Sequence, residues 1–218
     1  MIRLVEFFAW IAAWGGGLGH RVGLAPGKSL PGGRKMAETR TRPDRDRYFM
    51  GIAMAVRARA NCLGSRIGAV LVLNDRVVST GYNGTPEDMK NCDEGGCDRC
   101  LNREKYGSGK GYDVCICVHA EQNALLAAAR FGIGVENAVL YSTMRPCFGC
   151  TKEILQAKIR AVYYLQDWKY PDPDLNAEYE RIQARIPDGV RVVAVEDPDR
   201  EWAIGKRPVI SETGHVTT

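Results

Sequence analysis

Two short motifs constrain this chain more than any other feature: His119-Ala120-Glu121, and Pro146-Cys147-Phe148-Gly149-Cys150. HAEQNALLAAARFG reads as a helix ended by Gly132, and CFGCTKEILQAKI reads as a second helix whose first turn carries both cysteines. Residues three apart on a helix share a face, so Cys147 and Cys150 can present two sulfurs to one ion. His119, at the start of the other helix, supplies a third ligand, and three protein ligands leave the fourth position of a zinc site open, as in catalytic sites. Any fold of this chain must therefore bring two helix N-termini together, where their positive dipole ends favour thiolate over thiol. Glu121 lies too close to His119 in sequence to bind the same ion in the same way, and its better role is proton shuttle. A lone helix-capping histidine or a lone CxxC is commonplace. The two in this order, each opening a helix, favour the open metal site.

The flanking pattern supplies the frame. Phe49, Ile52, Ala53, Val56 and Ala60 recur at helical spacing over Arg45 to Ala60. GAVLVLN and DRVVSTGYN read as β-branched strands joined at Asn74-Asp75, a pair suited to a tight hairpin turn. Residues 83–118 lose periodicity and gather Gly, Asp and five cysteines, as a metal-bound insertion would. Beyond it AVLYST, AVYYLQ and GVRVVAVE read as strands, with a helix near Leu175 to Arg185 before the last. Alternating strands and helices predict an α/β chain, a three-layer α/β/α domain around a mixed, partly parallel five-stranded sheet.

With 218 residues, 45% of them hydrophobic, the chain can bury one substantial core. The expected organisation is a disordered extension over 1–44, a domain over 45–196 and a tail over 197–218. The apolar run Leu4 to Trp14 is too short to span a bilayer, and the Gly/Pro-rich stretch after it has no period. Met36 is the expected natural start, with residues 1–35 a mis-assigned extension. A formal charge of +4, mixed in sign along the chain, gives no argument for nucleic acid or a membrane surface. Of the eight cysteines, six fall in CxxC or CxC pairs, Cys97/Cys100, Cys147/Cys150 and Cys115/Cys117, which points to metal and a reducing cytoplasm rather than to disulfides.

HxE followed by PCxxC is the signature of zinc deaminases. Together with SRIGAV (Ser65 to Val70), GYNGTP (Gly81 to Pro86) and HAEQNA (His119 to Ala124), it makes the chain resemble the deoxycytidylate (dCMP) deaminase branch of the cytidine and deoxycytidylate deaminase superfamily. The resemblance covers about residues 45–196. Cytidine deaminases typically carry CAE where this chain has His119, and the tRNA adenosine and riboflavin-pathway deaminases generally lack GYNG followed by HAExNA. The resemblance implies the cytidine-deaminase-like fold and hydrolysis of dCMP to dUMP and ammonia for thymidylate synthesis. It also implies a homo-oligomer, often a hexamer, activated by dCTP with Mg2+ and inhibited by dTTP. Asn83 lies where the family places an amide that hydrogen-bonds the nucleotide, and Arg66 is a candidate for phosphate charge. Rival readings are a deaminase of another cytosine nucleotide or of a polynucleotide base. A non-catalytic zinc-stabilised binding module is a further rival, but it predicts a basic, aromatic-laced face that the sequence does not show.

Six cysteines remain outside the PCxxC motif, and some similar deaminases hold a second, non-catalytic zinc. Cys62, Cys92, Cys97 and Cys115 resemble the recurring cysteines of bacterial relatives and are the preferred set, leaving Cys100 and Cys117 spare. Spacing alone suggests another set, Cys97, Cys100, Cys115 and Cys117, as a small knuckle. Either way the expectation is one catalytic and one structural zinc.

Overall fold

The computed structural model describes residues 41–106, 111–205, 209–210 and 216–217; the expectation for residues 1–35 lies outside the described residues. Helix α1 (Arg45–Arg57) starts at Asp44, whose carboxylate accepts the Arg47 amide hydrogen at 2.8 Å, the usual work of an N-cap aspartate. β1 (Gly68–Leu73) and β2 (Arg76–Tyr82) form an antiparallel hairpin. Asn74 and Asp75 between them have φ of 50° and 60°, the primed turn that matches strand twist and that these two residue types tolerate.

Among its described residues the insertion holds only short elements, α2 (Asp98–Leu101), α3 (Arg103–Tyr106) and two 3-10 turns. Its ends are clipped together by an antiparallel bridge between Gly84 and Val118. Then follow α4 (Ala120–Arg130), β3 (Val139–Met144), α5 (Phe148–Gln156), β4 (Ala161–Gln166), α6 (Pro173–Gln183), β5 (Val190–Val192) and α7 (Arg200–Ala203).

The five strands lie in the order β2-β1-β3-β4-β5. β1 is antiparallel to both neighbours, whereas β3, β4 and β5 run parallel, so the sheet is mixed as expected. Successive side chains of a strand point to opposite faces. Ala69 and Leu71 accordingly pack with Ala120, Ala124 and Ile154 of α4 and α5. Val70 and Val72 pack with Phe49, Met50 and Ala53 of α1. These are the three layers. Gly68 and Gly81 permit the close fit, because a Cβ at Gly68 would overlap the Ala53 carbonyl oxygen of α1 and one at Gly81 the Ala120 carbonyl oxygen of α4. The glycines of SRIGAV and GYNGTP thus set how near the two helix layers approach the hairpin.

The folded unit continues past residue 196, where the sequence suggested it would end. Asp197 accepts a two-pronged ion pair from Arg57 at 2.7 and 2.8 Å, with both side chains buried. Ala203 of α7 is buried, and its carbonyl accepts the Arg66 amide hydrogen.

Candidate active site

Both motif-bearing helix starts are tied down. The Gln122 carboxamide oxygen accepts the His119 amide hydrogen at 2.9 Å while its nitrogen donates to Glu153 of α5 at 2.8 Å. Asn123 donates to the Tyr82 carbonyl at 2.7 Å, and Ser79 donates to the Ala124 carbonyl at 2.7 Å, fastening α4 to β2. On the other side, the Pro146 carbonyl accepts from the Tyr179 hydroxyl at 2.7 Å and from Gln183 at 3.1 Å, both on α6. The polar residues of HAEQNA therefore act as clamps between layers.

His119 caps α4 and Cys147 caps α5. His119 Nδ1 lies 3.4 Å from Cys147 Sγ and 3.3 Å from Cys150 Sγ, and the three ligand atoms lie within 4.8 Å of one another. Zinc–nitrogen and zinc–sulfur bonds of about 2.0 and 2.3 Å at a tetrahedral angle put N and S about 3.5 Å apart. The donor set fits such an ion. The Cys150 sulfur and then His119 lower the Cys147 thiol to about 4, while the Cys147 contact raises Cys150. The bond to Cys147 raises His119 to about 9.

Glu121 is fully enclosed. Its Oε1 accepts the Ser142 hydroxyl of β3 at 2.8 Å, and its Oε2 lies 3.6 Å from Cys150 Sγ. Burial raises its carboxyl above the ordinary value. His119, Glu121 and Cys147 open into a cavity of about 400 Å³ whose wall also carries Asn83, Arg103, Arg145 and Trp168. No pattern in the sequence singled out Ser142, Arg103 or Arg145. Arg145, which immediately precedes Pro146, is held by Gln183 at 2.7 Å and Asp167 at 3.2 Å and lies over the Tyr179 ring.

Other expected residues are placed differently. Asn83 lines the cavity, but its amide is already engaged, donating to the Ser65 carbonyl at 2.7 Å and accepting the Ile67 amide hydrogen at 2.8 Å. It retains one N–H and one lone pair for a ligand. Arg66, a candidate for phosphate charge, is not among the residues that line the cavity. Its guanidinium lies 4.8 Å from the centre of the Trp202 ring and donates to the Trp202 carbonyl at 3.0 Å. α7 occupies it instead.

Cys62, Cys92, Cys97 and Cys115 do not converge on one point, which corrects the preferred second-zinc set. The sulfurs form two overlapping tetrads, Cys62/Cys92/Cys100/Cys117 and Cys97/Cys100/Cys115/Cys117, with the ligand atoms in each within 4.8 Å of one another. Cys100 and Cys117, spare in that set, belong to both. The cause is local: α2 turns Cys97 and Cys100 to one side, and the Gly84–Val118 clip lays Cys115 and Cys117 beside Cys62 in the loop that follows α1.

A layered α/β/α domain whose paired helix N-termini present histidine, two cysteines and a buried glutamate defines the class of zinc-binding nucleotide and base deaminases. The chain belongs to the cytidine and deoxycytidylate deaminase zinc-binding family, whose sequence model matches residues 43–166. It is 48% identical over 125 residues to the deoxycytidylate deaminase of Schizosaccharomyces pombe, a match covering 57% of this chain and 38% of that one. It is 41% identical over 127 residues to the deoxycytidylate deaminase of Mycobacterium phage D29, covering 57% of this chain and 96% of that one. Among solved structures, the dCMP deaminase of cyanophage S-TIM5 in complex with dCMP and dUMP superposes with a TM-score of 0.53 at 25% identity, covering 70% of this chain and 99% of that one. The chain spans about two fifths of the length of the fission-yeast protein and of its Saccharomyces cerevisiae counterpart, 38% and 39%. No helix among the described residues is long and apolar enough to cross a membrane.

Proposed function

We propose that the chain hydrolyses dCMP to dUMP and ammonia, with His119, Cys147 and Cys150 holding one zinc ion and Glu121 moving the protons. The observation that carries this reading is the placement of Glu121: a buried carboxylate, fixed by Ser142, beside a three-ligand centre at the edge of a nucleotide-sized cavity. Zinc in such a site lowers the pKa of a bound water toward neutrality. Glu121 would accept one proton from the attacking water and give it to the ring nitrogen, then take the second from the hydroxyl on the tetrahedral carbon and give it to the departing amine. Its burial keeps the transfer in a low-dielectric site, where a shuttled proton is not lost to bulk water. Arg103 gives the cavity wall positive charge suited to a phosphate, whereas the charge of Arg145 is already paired with Asp167. Relatives that are named deoxycytidylate deaminases, and a solved relative holding dCMP and dUMP, support cytosine nucleotide monophosphate as the substrate.

The same reading includes a homo-oligomer, a hexamer, that responds to dCTP with Mg2+ and to dTTP, in a reducing cytoplasm. Leu126 of α4 and Phe131 at its C-cap support an oligomer, since both are large, apolar and more than half exposed. The test is ammonia release by the zinc-loaded full chain from dCMP, dCTP, cytidine and a tRNA. dCMP should turn over fastest, and Cys147→Ser should lose the zinc of the His119 centre together with activity. A zinc-loaded chain inert toward dCMP sinks the reading.

A further inference from the structure

Six cysteine sulfurs gather beside the same cavity, and Cys62, Cys100, Cys115 and Cys117 line it. Cys62, Cys92, Cys97, Cys100 and Cys117 are buried, and Cys115 is half-buried. None approaches the roughly 2.05 Å of a disulfide. The close sulfur contacts are 3.9 Å for Cys62–Cys100, 3.8 Å for Cys97–Cys115, 3.7 Å for Cys100–Cys115 and 3.9 Å for Cys100–Cys117. A tetrahedral zinc with bonds of about 2.3 Å to four thiolates sets its sulfurs about 3.8 Å apart. The contacts reach that spacing in both tetrads, and Cys100–Cys117 is the edge the tetrads share.

We propose that these six cysteines form one two-zinc cluster, in which Cys100 and Cys117 bridge the ions while Cys62 and Cys92 complete one site and Cys97 and Cys115 the other. A single ion would use four of the six sulfurs, although the ligand atoms of both tetrads lie within 4.8 Å of one another and the remaining pair sits at ligand spacing too. Backbone N–H groups of Leu63 and Gly64 point at the Cys92 and Cys62 sulfurs, 3.4 and 3.3 Å away, and so favour the ionised form.

The cluster has work to do. Arg99 and Arg103, which line the cavity, sit on the segment that begins at Cys97 and returns at Cys115. Elements this short hold no core of their own, so the ions fix the segment against Cys62 in the loop that follows α1. Metal loading thereby sets the part of the cavity wall that carries Arg99 and Arg103. This inference rests on the insertion's sulfurs and not on the deaminase reading.

The test is zinc content of the full chain, expressed with zinc and exchanged into metal-free buffer. The expected value is about three ions per chain, two in the cluster and one at His119. Cys147→Ser should retain two, which separates this result from failure of the catalytic centre. Cys97→Ser/Cys115→Ser should lose one ion and keep the other on the remaining tetrad. Replacement with cadmium-113 requires no variant: two cluster resonances split by coupling through the shared sulfurs are expected. Two zinc ions in the full chain and one in Cys147→Ser, or a single uncoupled cluster resonance, overturn the proposal.

Discussion

The Ser142 hydroxyl on β3 donates to the Glu121 carboxylate on α4 across 2.8 Å, with both side chains buried. The bond joins sheet and helix at the point where a proton would move. Ser142→Ala removes a hydrogen bond to a charged group, worth about 1.5–3 kcal/mol, so kcat/KM for dCMP should fall about 10- to 100-fold with zinc content unchanged. Burial raises the Glu121 carboxyl, and Ser142 opposes that rise. The proton-accepting form is the carboxylate, so activity is lost as pH falls through the raised value. The acid limb of the pH–rate profile should therefore move to higher pH in Ser142→Ala, and an unchanged limb would count against Ser142 as a positioning residue.

Glu121→Gln keeps the shape of the side chain and removes its proton chemistry. A general acid–base residue contributes about 10²–10⁴-fold, and here one group serves several transfers, so turnover should drop by at least about four orders of magnitude. Zinc at the His119 centre should remain, because Glu121 is not in that ligand set. Metal analysis beside a rate assay reads both. Near-normal turnover overturns the shuttle role.

What could be read in advance follows the range of the interactions. Ligands three residues apart on a helix and a two-residue hairpin turn are local, so His119, Cys147, Cys150 and Asn74-Asp75 were legible in the chain itself. Ser142 was not, because which face of β3 it takes depends on register with β1 and β4. The sulfur tetrads depend on a clip between Gly84 and Val118 and on helices too short to show a period. Arg66 pairs with Trp202 and Arg57 with Asp197, partners far along the chain and in a segment with weak pattern. Such pairings carry no local sequence signal.

The Arg57–Asp197 pair should matter for stability. Breaking a buried pair by removing one partner costs about 3–5 kcal/mol, so Asp197→Asn should lower the melting temperature clearly. Arg57→Met/Asp197→Leu should recover part of the loss by leaving no buried charge unpaired. The Arg57 guanidinium holds the Asp197 carboxyl below its ordinary value. A carboxyl lowered in the folded state contributes fully above its unfolded pKa of about 3.9 and loses that contribution as pH falls through the lowered value. The stability gap between the native chain and Asp197→Asn, measured by denaturant unfolding, should be constant from pH 7 to about 5 and shrink below about 4. A gap independent of pH would contradict the ion pair.

Two glycines should respond in opposite directions to the same substitution. Gly51 sits on the exposed side of α1 with open space where a Cβ would be, so Gly51→Ala should stabilise the fold by about 0.5–1 kcal/mol through helix propensity. At Gly81 the added Cβ meets the backbone of α4, overlapping the Ala120 carbonyl oxygen and crowding the Asn123 and Ala124 backbone. Backbone cannot swing aside as a flexible side chain does, so α4 must shift off β2. Ala120 lies between His119 and Glu121, and the shift therefore moves a metal ligand and the proton shuttle together. Gly81→Ala should destabilise by about 1–3 kcal/mol, the cost of overpacking, and should lower kcat more than the loss of folded protein explains. Paired melting curves and rates on the two variants test this. Equal, small effects at both positions would show that α4 does not need the close approach.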